Sequence, residues 1–395
     1  MVDVLVIGGG PVGFFMAALL LQHGVSVRIL EQRTGTEPHS RAIGIHPPSL
    51  DALQGIGVAP AMVAEGVPIR RGLAVGGGRT LARMSFAGVS EGFPFVLALP
   101  QSRTEAVLEQ RVRQLDADAV HRGVRVTRLH DDGGQVTVDA TAEGSAVHYT
   151  AAIAIAADGV RSTVRPLLGT AVRAKDYRDS YLMGDFADAT GFGPDAALFL
   201  EPEGIVESFP LPGALRRWVV RLADPGDGSD PGDGGGPVDG GGPVDCGDAG
   251  WLVQTIRQRT GIDVDPASNS MLSRFGVRSR LVRRMVTGRT VLIGDAAHEI
   301  SPIGGQGMNL GWLDAAALAP LVLASLHGAD VGAALRNFAA SRTAAAARAA
   351  RQSEINMALG RPLTAGPWAL RNRAVAAAAS VPAVNGFVAR RFTMQ

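Results

Sequence analysis

A glycine-rich loop near the start of the chain constrains the fold more than any other feature of the sequence. The apolar stretch Val2–Ile7 leads into Gly8-Gly9-Gly10-Pro11-Val12-Gly13, and the apolar pattern that follows predicts a helix over residues 11–23. A second β-branched stretch, residues 25–30, ends at Glu31. Strand, glycine loop, helix, strand and acid in this order are typical of the βαβ unit that opens a doubly wound parallel sheet.

The chemistry of such a loop favours a dinucleotide. Glycines let main-chain N–H groups approach a pyrophosphate, which lies at the positive end of the helix, and the Glu31 carboxylate can accept hydrogen bonds from an adenosine ribose. The loop alone does not distinguish FAD from NAD. A glycine turn that only packs the helix on the strand is the structural alternative.

The remaining segments predict two further kinds of structure. A capping-box spacing at Ser102–Glu105 predicts a helix, and strands are predicted near 124–126, 136–138 and 151–157, the last of them apolar throughout like a central parallel strand. Between about 173 and 287, short alternating strands predict an antiparallel sheet. These strands are expected at residues 181–186, 197–200, 205–209 and 217–222, and helices are expected at 313–326 and 333–358.

These patterns predict an α/β fold with discontinuous domains. A Rossmann-like nucleotide domain is expected at residues 1–70, 98–172 and 288–330, an antiparallel substrate domain at 71–97 and 173–287, and C-terminal helices at 331–395. Residues 225–250 are almost all Gly, Pro and Asp, which predicts a flexible surface insertion.

Charge and cysteine content exclude several classes of function. The formal net charge is +1, with 38 basic and 37 acidic residues, so no long-range field recruits nucleic acid or an anionic membrane. The single cysteine, Cys246, excludes an internal disulfide and a cysteine metal cluster. The N-terminus lacks an export-signal pattern, and the apolar stretch Phe14–Leu21 is too short to cross a bilayer. We therefore expect a cytoplasmic protein with a small-molecule partner, without nucleic-acid binding, membrane insertion or a metal site.

A second motif follows the predicted central strand. Asp158-Gly159 begins a D-G-x-x-S-x-x-R sequence that ends at Arg165. The carboxyl ends of parallel strands are where α/β folds bind ligands. Capping of the next helix by Asp158 is an equally good explanation.

A third motif is the most informative. The predicted strand Thr290–Ile293 runs into Gly294-Asp295-Ala296-Ala297-His298, and then into Pro302 and the glycine-rich segment Gly304–Gly311. The Asp295 carboxylate can accept a hydrogen bond from a sugar-alcohol hydroxyl. Glycines at the start of the next helix let main-chain N–H groups face a flat, negatively charged ligand such as a reduced flavin.

In this order the three motifs resemble those of the flavoprotein monooxygenases related to para-hydroxybenzoate hydroxylase. The resemblance covers essentially the whole chain, and Arg41 and Gln101 also fall where that family contacts flavin. It implies FAD as the cofactor and NADPH or NADH as a transient reductant. The cofactor-binding residues that it implies are Gly8, Gly10, Pro11, Val12, Gly13, Glu31, Gln32, Arg33, Arg41, Gln101, Asp158, Gly159, Gly294, Asp295, Pro302, Gly305, Gln306, Gly307, Met308 and Asn309.

The chemistry that the resemblance implies is carried by the cofactor. NAD(P)H reduces FAD, oxygen adds at the flavin C4a carbon, and the resulting hydroperoxide attacks an aromatic or polyketide-like substrate. Pro302 is implied beside the reactive edge of the flavin. Arg41 either guides movement of the flavin toward the nicotinamide or is an ion-pair partner of a phosphate or carboxylate.

Several alternatives remain open at this stage. A halogenase is disfavoured because its W-x-W-x-I-P motif is missing and Lys175 is the only lysine. Epoxidation, Baeyer-Villiger oxygenation and a non-redox FAD-binding cyclase would use the same motifs. Substrate-wall candidates in the antiparallel domain are also candidates for its core, and nothing in the sequence specifies an oligomeric state. These candidates are Tyr181, Met183, Phe199, Phe209 and Trp218.

Overall fold

The structure is a computed structural model that describes residues 1–35, 41–222 and 247–394. Most of the predicted insertion, residues 225–246 with Cys246, lies outside the described residues. Residues 247–250 form the first turn of a helix, so the prediction of a flexible insertion is wrong for these four positions.

The described elements include both helices and strands along the chain. The helices are α1 (Pro11–Leu21), α2 (Pro47–Gln54), α3 (Ala59–Glu65), α4 (Gln101–Leu115), α5 (Val164–Leu167), α6 (Gly247–Thr260), α7 (Gly307–Leu326), α8 (Gly332–Leu359), α9 (Ala365–Ala379) and α10 (Pro382–Phe392). The strands are β1 (Val2–Ile7), β2 (Val27–Glu31), β3 (Gly44–Ile45), β4 (Val67–Ile69), β5 (Arg71–Gly76), β6 (Arg79–Ser85), β7 (Val96–Ala98), β8 (Val120–Arg122), β9 (Val124–Asp131), β10 (Val136–Ala142), β11 (Ser145–Ala156), β12 (Val172–Ala187), β13 (Ala196–Glu201), β14 (Gly204–Leu211), β15 (Leu215–Arg221), β16 (Met271–Val282), β17 (Val286–Thr287), β18 (Thr290–Leu292) and β19 (His298–Glu299).

The chain divides into two compact units. The first unit comprises Met1–Ala64, Pro100–Lys175 and Arg278–Ser353, and the second comprises Glu65–Leu99, Asp176–Val277 and Glu354–Gln395. The predicted domain boundaries remain a prediction; in the structure, α8 runs from the first unit into the second, and α9 and α10 lie in the second.

The first unit contains a mainly parallel sheet in the order β17-β18-β11-β1-β2-β8. Strands β18, β11, β1, β2 and β8 run parallel to their neighbours. β11 is apolar in its second half because that half is the central parallel strand, whereas its first half pairs antiparallel with β10. The carboxyl ends of β1, β11 and β18 therefore meet at one edge, and each is followed by one of the three sequence motifs. The predicted Rossmann-like architecture is confirmed.

The second unit contains a mainly antiparallel sheet in the order β16-β12-β15-β14-β13-β5-β6. The β13 and β5 pair is parallel. α6 packs on one face of the sheet, where its residues Leu252 and Ile256 join the core formed by Phe186, Phe199 and Trp218. The predicted antiparallel sheet is present.

Two details of the helices bear on the sequence predictions. α4 begins at Gln101 after Pro100, and no side chain caps it, so the predicted capping box with Ser102 is wrong although the helix is present. By length and composition alone, α7 is the one described helix that could cross a bilayer, and half of its apolar window is buried inside the protein.

Candidate functional site: three loops at the carboxyl edge of the parallel sheet

The first loop depends on two glycines. Gly8 has a φ of +107°, and a Cβ there would lie 2.4 Å from the carbonyl oxygen of Ala157. A Cβ on Gly13 would lie 1.9 Å from the carbonyl oxygen of Gly8. Any side chain at either position would force β1, α1 and the end of β11 apart. Pro11 occupies the first turn of α1, where its missing N–H costs nothing.

Glu31 fixes this loop from the end of β2. One carboxylate oxygen accepts a hydrogen bond from the Gly9 N–H at 2.6 Å. The other accepts from the main-chain N–H of Arg33 at 2.7 Å and from its Nε at 3.0 Å. Arg33 also approaches Glu105 at 3.6 Å, while Gln32 is exposed. Glu31 therefore orients the glycine loop and Arg33 in addition to the ribose contact predicted for it.

The second loop is capped by Asp158. Its Oδ2 accepts hydrogen bonds from the main-chain N–H groups of Thr163 at 2.7 Å and Val164 at 3.1 Å, so the carboxylate caps the start of α5. Its Oδ1 is buried and accepts no hydrogen bond from any residue in the described part of the chain. Both explanations offered by the sequence thus remain compatible: one oxygen caps a helix, and the other is available to a ligand.

Arg165 joins the second loop to the third. Its guanidinium donates to the carbonyl oxygens of Val160 at 2.9 Å and Ala296 at 3.2 Å. The two loops meet because β11 and β18 are neighbouring strands, so the loops that follow them are neighbours as well.

The third loop begins with a one-turn helix over Gly294–Ala296, which Gly294 enters with a φ of +59°. Burial raises the pKa of the Asp295 carboxyl to about 6, against the opposing effect of His298. A Cβ on Gly307 would stand 3.7 Å from Asp295 Oδ1, so this carboxyl faces the start of α7. At neutral pH it is an anionic acceptor for ligand hydroxyl groups.

A buried ion network anchors the third loop to α7 and α8. Asp314 accepts hydrogen bonds from the Gly294 N–H at 3.0 Å and from Arg342 Nε at 2.6 Å, and its Oδ2 lies 2.5 Å from His298 Nε2. Burial disfavours the charged form of Asp314, yet His298 and Arg342 hold its pKa below the usual value. Burial likewise opposes protonation of His298, but Asp314 raises its pKa. His298 therefore acts as a structural partner of Asp314.

The segment from Pro302 to Asn309 shapes the N-terminus of α7. The Gly305 N–H donates to the Pro302 carbonyl at 2.9 Å, and Pro302 itself is exposed. The Asn309 side chain donates to the carbonyls of Gly44 at 2.9 Å and Gly305 at 2.7 Å and accepts from the His46 N–H at 2.8 Å. Asn309 therefore ties this segment to β3, while the N–H groups of Gly307 and Met308 lie in the first turn of α7.

Arg41 and Gln101 lie near each other in the chain's three-dimensional arrangement. The Gln101 N–H donates to the carbonyl of Ala42 at 3.1 Å, which brings the Arg41 segment to the start of α4. Arg41 keeps an exposed surface, but surrounding protein and then the positive charges of Arg161 and Arg278 lower its pKa, with Glu299 opposing. A guanidinium stays charged in proteins, so these three arginines form a basic group.

The residues of the three loops fit FAD. Gly8 and Gly13 keep the backbone open at the N-terminus of α1, where a pyrophosphate binds. Asp158 Oδ1 accepts no hydrogen bond from the described residues. Asp295 presents a carboxylate that would accept a hydrogen bond from a ribityl hydroxyl. The first turn of α7 offers main-chain donors for a flat ring system.

Comparison with known families decides the assignment. A family model described as "FAD binding domain" matches residues 1–231 and 243–353.

The chain belongs to this FAD-binding family.

Two relatives agree with this assignment, and a solved structure has the same fold. The FAD-binding chain is 31% identical over 82% of its length to an uncharacterized aromatic compound monooxygenase, YhjG, of Bacillus subtilis strain 168. It is 32% identical over 83% of its length to a rifampicin monooxygenase of Streptomyces venezuelae. The crystal structure of p-nitrophenol 4-monooxygenase PnpA from Pseudomonas putida DLL-E4 matches with a TM-score of 0.87, at 24% identity, over 99% of this chain and 97% of that one.

The FAD-binding chain spans less than two thirds of the two curated relatives. It covers 62% of the Bacillus protein and 65% of the Streptomyces protein. The predicted family and the predicted cofactor FAD are confirmed by these matches.

The sheet register of the second unit separates the substrate-wall candidates into two groups. Trp218 and Phe199 lie in the core under α6. Met183 pairs with Val219, and Val219 also pairs with Glu207. Paired residues project from the same face, so these three lie with Tyr181 on the face opposite α6. Phe209 pairs with Arg217, two residues from Val219, and lies on that face too. Phe199 and Trp218 are therefore core residues of the FAD-binding chain.

Several residues that hold the three loops in place are missing from the predicted site residues. Asp314 and Arg342 lie on helices whose apolar pattern predicts only packing, and Trp312 donates from its indole to the Pro11 carbonyl at 3.1 Å. The sequence offered one sign of this network, an aspartate within an apolar helix. A carboxylate in that setting needs a buried partner. The identity of the partner depends on how α7 and α8 pack.

Proposed function

We propose that the protein is an FAD-dependent monooxygenase that uses NAD(P)H and O2 to hydroxylate a small aromatic or polyketide-like substrate. The observation that carries the proposal is the meeting of three loops, at Gly8–Gly13, Asp158–Arg165 and Gly294–Asn309, on one edge of the parallel sheet in a chain of the FAD-binding family. The names of the two curated relatives, an aromatic compound monooxygenase and a rifampicin monooxygenase, support this class of reaction.

The three loops divide the binding of FAD between them. Gly8, Gly10 and Gly13 with Pro11 and Val12 would hold the pyrophosphate at the start of α1, and Glu31, Gln32 and Arg33 the adenosine. Asp295 with Gly294 would hold the ribityl chain. Bound flavin supplies the redox chemistry, because it accepts a hydride and activates oxygen. The remaining proposed contacts are Arg41, Gln101, Asp158, Gly159, Pro302, Gly305, Gln306, Gly307, Met308 and Asn309.

The chain's own contribution is orientation and electrostatics. The first turn of α7 points main-chain N–H groups and the positive end of the helix dipole at the place proposed for the ring, which favours negative charge there. The network of Asp314, His298 and Arg342 holds that turn in place. Rigid, preorganised donors stabilise developing negative charge better than mobile donors do, because they need not reorganise during the reaction.

The basic group of Arg41, Arg161 and Arg278 supports an anionic reductant. The three guanidinium groups are close enough to lower the pKa of Arg41, and Glu299 offsets them only in part. Clustered positive charge raises the local concentration of a negatively charged ligand such as NAD(P)H. Arg41 is proposed to guide the nicotinamide cofactor to the flavin.

The test begins with the absorption spectrum of the purified protein and its FAD content. NADPH and NADH oxidation is then followed with and without a panel of phenols and fused-ring aromatics, and products formed under 18O-labelled oxygen are analysed by mass spectrometry. We expect faster NAD(P)H oxidation with substrate and a product that carries one labelled oxygen atom. Hydrogen peroxide is measured in parallel, since uncoupled oxidation yields peroxide without product.

Two variants make this test specific to the loops. Asp295→Ala should lose most of its bound FAD and the stimulated oxidation, whereas Asp118→Ala, an exposed carboxyl in the same unit, should keep both. A protein that stays colourless and does not bind added FAD would contradict the proposal. So would FAD reduction that never yields an oxygenated product with any member of the panel.

A further inference from the structure

Three strands of the second unit carry several ionisable side chains on the sheet face opposite α6. Tyr181 and Met183 of β12 pair with Arg221 and Val219 of β15, and Val219 pairs with Glu207 of β14. Residues directly opposite one another in a ladder project from the same face. The apolar core under α6 lies on the other face and includes Trp218.

The arginines of β15 each have an aspartate partner. Arg217 Nε lies 2.7 Å from Asp185, and Arg221 Nε lies 3.0 Å from Asp179. On the other face, Arg216 Nε lies 3.0 Å from Asp188. These pairs use the aspartates of β12 and its following turn, so they leave no arginine for the glutamate of the neighbouring strand β14.

Glu207 differs from those acids. Only 8% of the surface of this residue is exposed. Within residues 1–35, 41–222 and 247–394 it forms neither a hydrogen bond nor an ion pair, and burial alone raises the pKa of its carboxyl to about 7.

Tyr181 presents a second polar atom without a partner, and this one is fully buried. The residue is fully buried, and its hydroxyl has no hydrogen-bond partner in the described part of the chain. Its ring stacks on Phe275 with centroids 5.5 Å apart, which restricts movement of the ring. Burial, followed by the negative charges of Glu207 and Asp179, raises the pKa of Tyr181, so Glu207 lies within electrostatic range of the hydroxyl.

We infer that Glu207 and Tyr181 bind a hydroxyl group on the ring system of the substrate, with the Glu207 carboxylate accepting the ligand's proton donor and the Tyr181 hydroxyl donating to its oxygen. The inference rests on the proposed function for the identity of the ligand as a substrate. A buried donor and a buried acceptor on one face are both satisfied by a single ligand hydroxyl, which is one donor and one acceptor. An ether or an unsubstituted ring would leave Glu207 unsatisfied.

The pair therefore selects phenolic or enolic rings over rings that lack a hydroxyl. Sites built to hydrogen-bond a ligand hydroxyl reject analogues without one far more strongly than apolar pockets reject a missing methylene. The charged groups of this face are Asp185 and Arg217, which pair with each other, and Asp179, which pairs with both Arg221 and Arg361. Arg221 and Arg361 oppose the rise in the pKa of Tyr181. Strands β4 and β7 are apolar, and β13 places apolar Leu198 and Leu200 on the face of Glu207, while its Glu201 lies on the other face.

The test measures binding of 2-naphthol and of 2-methoxynaphthalene to the FAD-loaded protein, by perturbation of the flavin absorption spectrum. We expect wild type to bind the naphthol at least about 10-fold more tightly than its methyl ether, the difference expected of a hydrogen bond to a charged group. Glu207→Leu should lose about 10-fold in naphthol affinity and bind the ether unchanged or better. Tyr181→Phe should lose several-fold for the naphthol while its free energy of unfolding without ligand stays the same or rises.

Glu201→Gln is the matched control. Glu201 is also a buried glutamate, at 7% exposure, but it alternates onto the other face of the sheet from Glu207 and accepts a hydrogen bond from the Gly77 N–H. The affinity of the Glu201→Gln variant for both naphthalenes should stay within about twofold of wild type. Wild-type affinity for the naphthol should rise between pH 6 and pH 8 as Glu207 ionises, and Glu207→Gln should show no such rise.

The outcomes separate this inference from the proposed function. Equal naphthol affinity in wild type, Glu207→Leu and Glu207→Gln would overturn the inference even if the enzyme oxygenates aromatics. Should Glu207→Leu not fold, the pH profile of Glu207→Gln and the Tyr181→Phe affinity decide. If the protein binds no FAD, naphthol fluorescence on the flavin-free protein still measures the selectivity, and its absence there would also overturn the inference.

Discussion

The carboxyl group of Asp295 lies after β18, where burial raises its pKa from the ordinary 3.8 to about 6. The folded protein thus holds this proton more tightly than the unfolded chain does. Stability associated with the protonated form is fully present below about pH 4, is lost as the pH rises to about 6, and stays lost above it. A shift of about two pKa units corresponds to roughly 3 kcal/mol.

Asp295→Asn should therefore stabilise the flavin-free protein at pH 7.5 and weaken its binding of FAD. The asparagine does not titrate, so the variant should exceed wild type in free energy of unfolding by about 1–3 kcal/mol at pH 7.5, and the excess should shrink toward zero near pH 4. Urea unfolding at several pH values measures the first effect, and FAD titration the second. Asp118→Asn, at an exposed site, should change neither; a pH-independent excess for Asp295→Asn would contradict the assigned titration.

Single motif residues were predictable from the sequence, but their partners were not. Gly8, Gly13, Asp158 and Asp295 stand at strand ends whose glycine and acid pattern identifies them. The link from Asp314 to His298 and Arg342 joins positions 16 and 28 residues away along the chain. Such pairing depends on the packing angle of two helices, which periodicity does not specify.

At the scale of elements, α7 approaches α1 so closely that a methyl group does not fit. A Cβ on Gly311 would lie 2.4 Å from Val12 Cγ2 and 3.1 Å from Gly294 Cα. Val12 and Gly294 belong to two of the three loops proposed to bind FAD. The packing of α7 therefore controls the separation of those loops, and Gly311 is required by that contact even though helices disfavour glycine.

Gly311→Ala should destabilise the protein by about 1–3 kcal/mol and weaken FAD binding, because the added methyl group overpacks this contact. Val12→Ala removes the nearest obstacle, so the double variant should recover part of the lost stability. Gly386→Ala in α10 is the control: a Cβ there meets no atom within 4 Å, and the change should be neutral or stabilising. Thermal unfolding and FAD titration measure both properties, and a Gly311→Ala protein as stable as wild type would contradict the packing argument.

The elements themselves were largely predictable because their hydrophobic periods are clear. The strand over β1, the helix α1 and the strands β13 to β15 lie where the sequence predicts them, within a few residues at the ends. β12 includes the predicted strand but begins at Val172, well before the predicted start at Tyr181. The capping box at Ser102 failed because Pro100 already turns the chain and places Gln101 in the first helical turn. The sequence did not show which substrate-wall candidates belong to the core, because a strand residue can face either side of a sheet until its pairing is known. The register places Phe199 and Trp218 on the core face and Tyr181 and Met183 on the opposite face.

At the scale of the whole molecule, the chain order and the compact units do not coincide. Each unit is assembled from three separate segments. The sequence predicts discontinuous domains but places the C-terminal helices in a group of their own, whereas α9 and α10 lie in the second unit. The three loops proposed to bind FAD all belong to the first unit, whereas Glu207 and Tyr181 belong to the second. Binding of the cofactor and recognition of the substrate hydroxyl are thus assigned to different units, and their stabilities can be measured separately.

Hydrogen exchange should reveal this division when FAD is added. A ligand that binds only the folded first unit at 100 times its dissociation constant stabilises that unit by about 2.7 kcal/mol, which slows exchange through its opening about 100-fold. We expect that protection in the amides of β1, β11 and the first turns of α1 and α7, and a much smaller effect in β13, β14 and β15. Gly13→Ala, which cannot keep the loop conformation, should abolish the protection at equal FAD concentration. Equal protection of both units would show that they open as one cooperative body, and protection confined to β13 to β15 would mean that the loops were assigned to the wrong ligand.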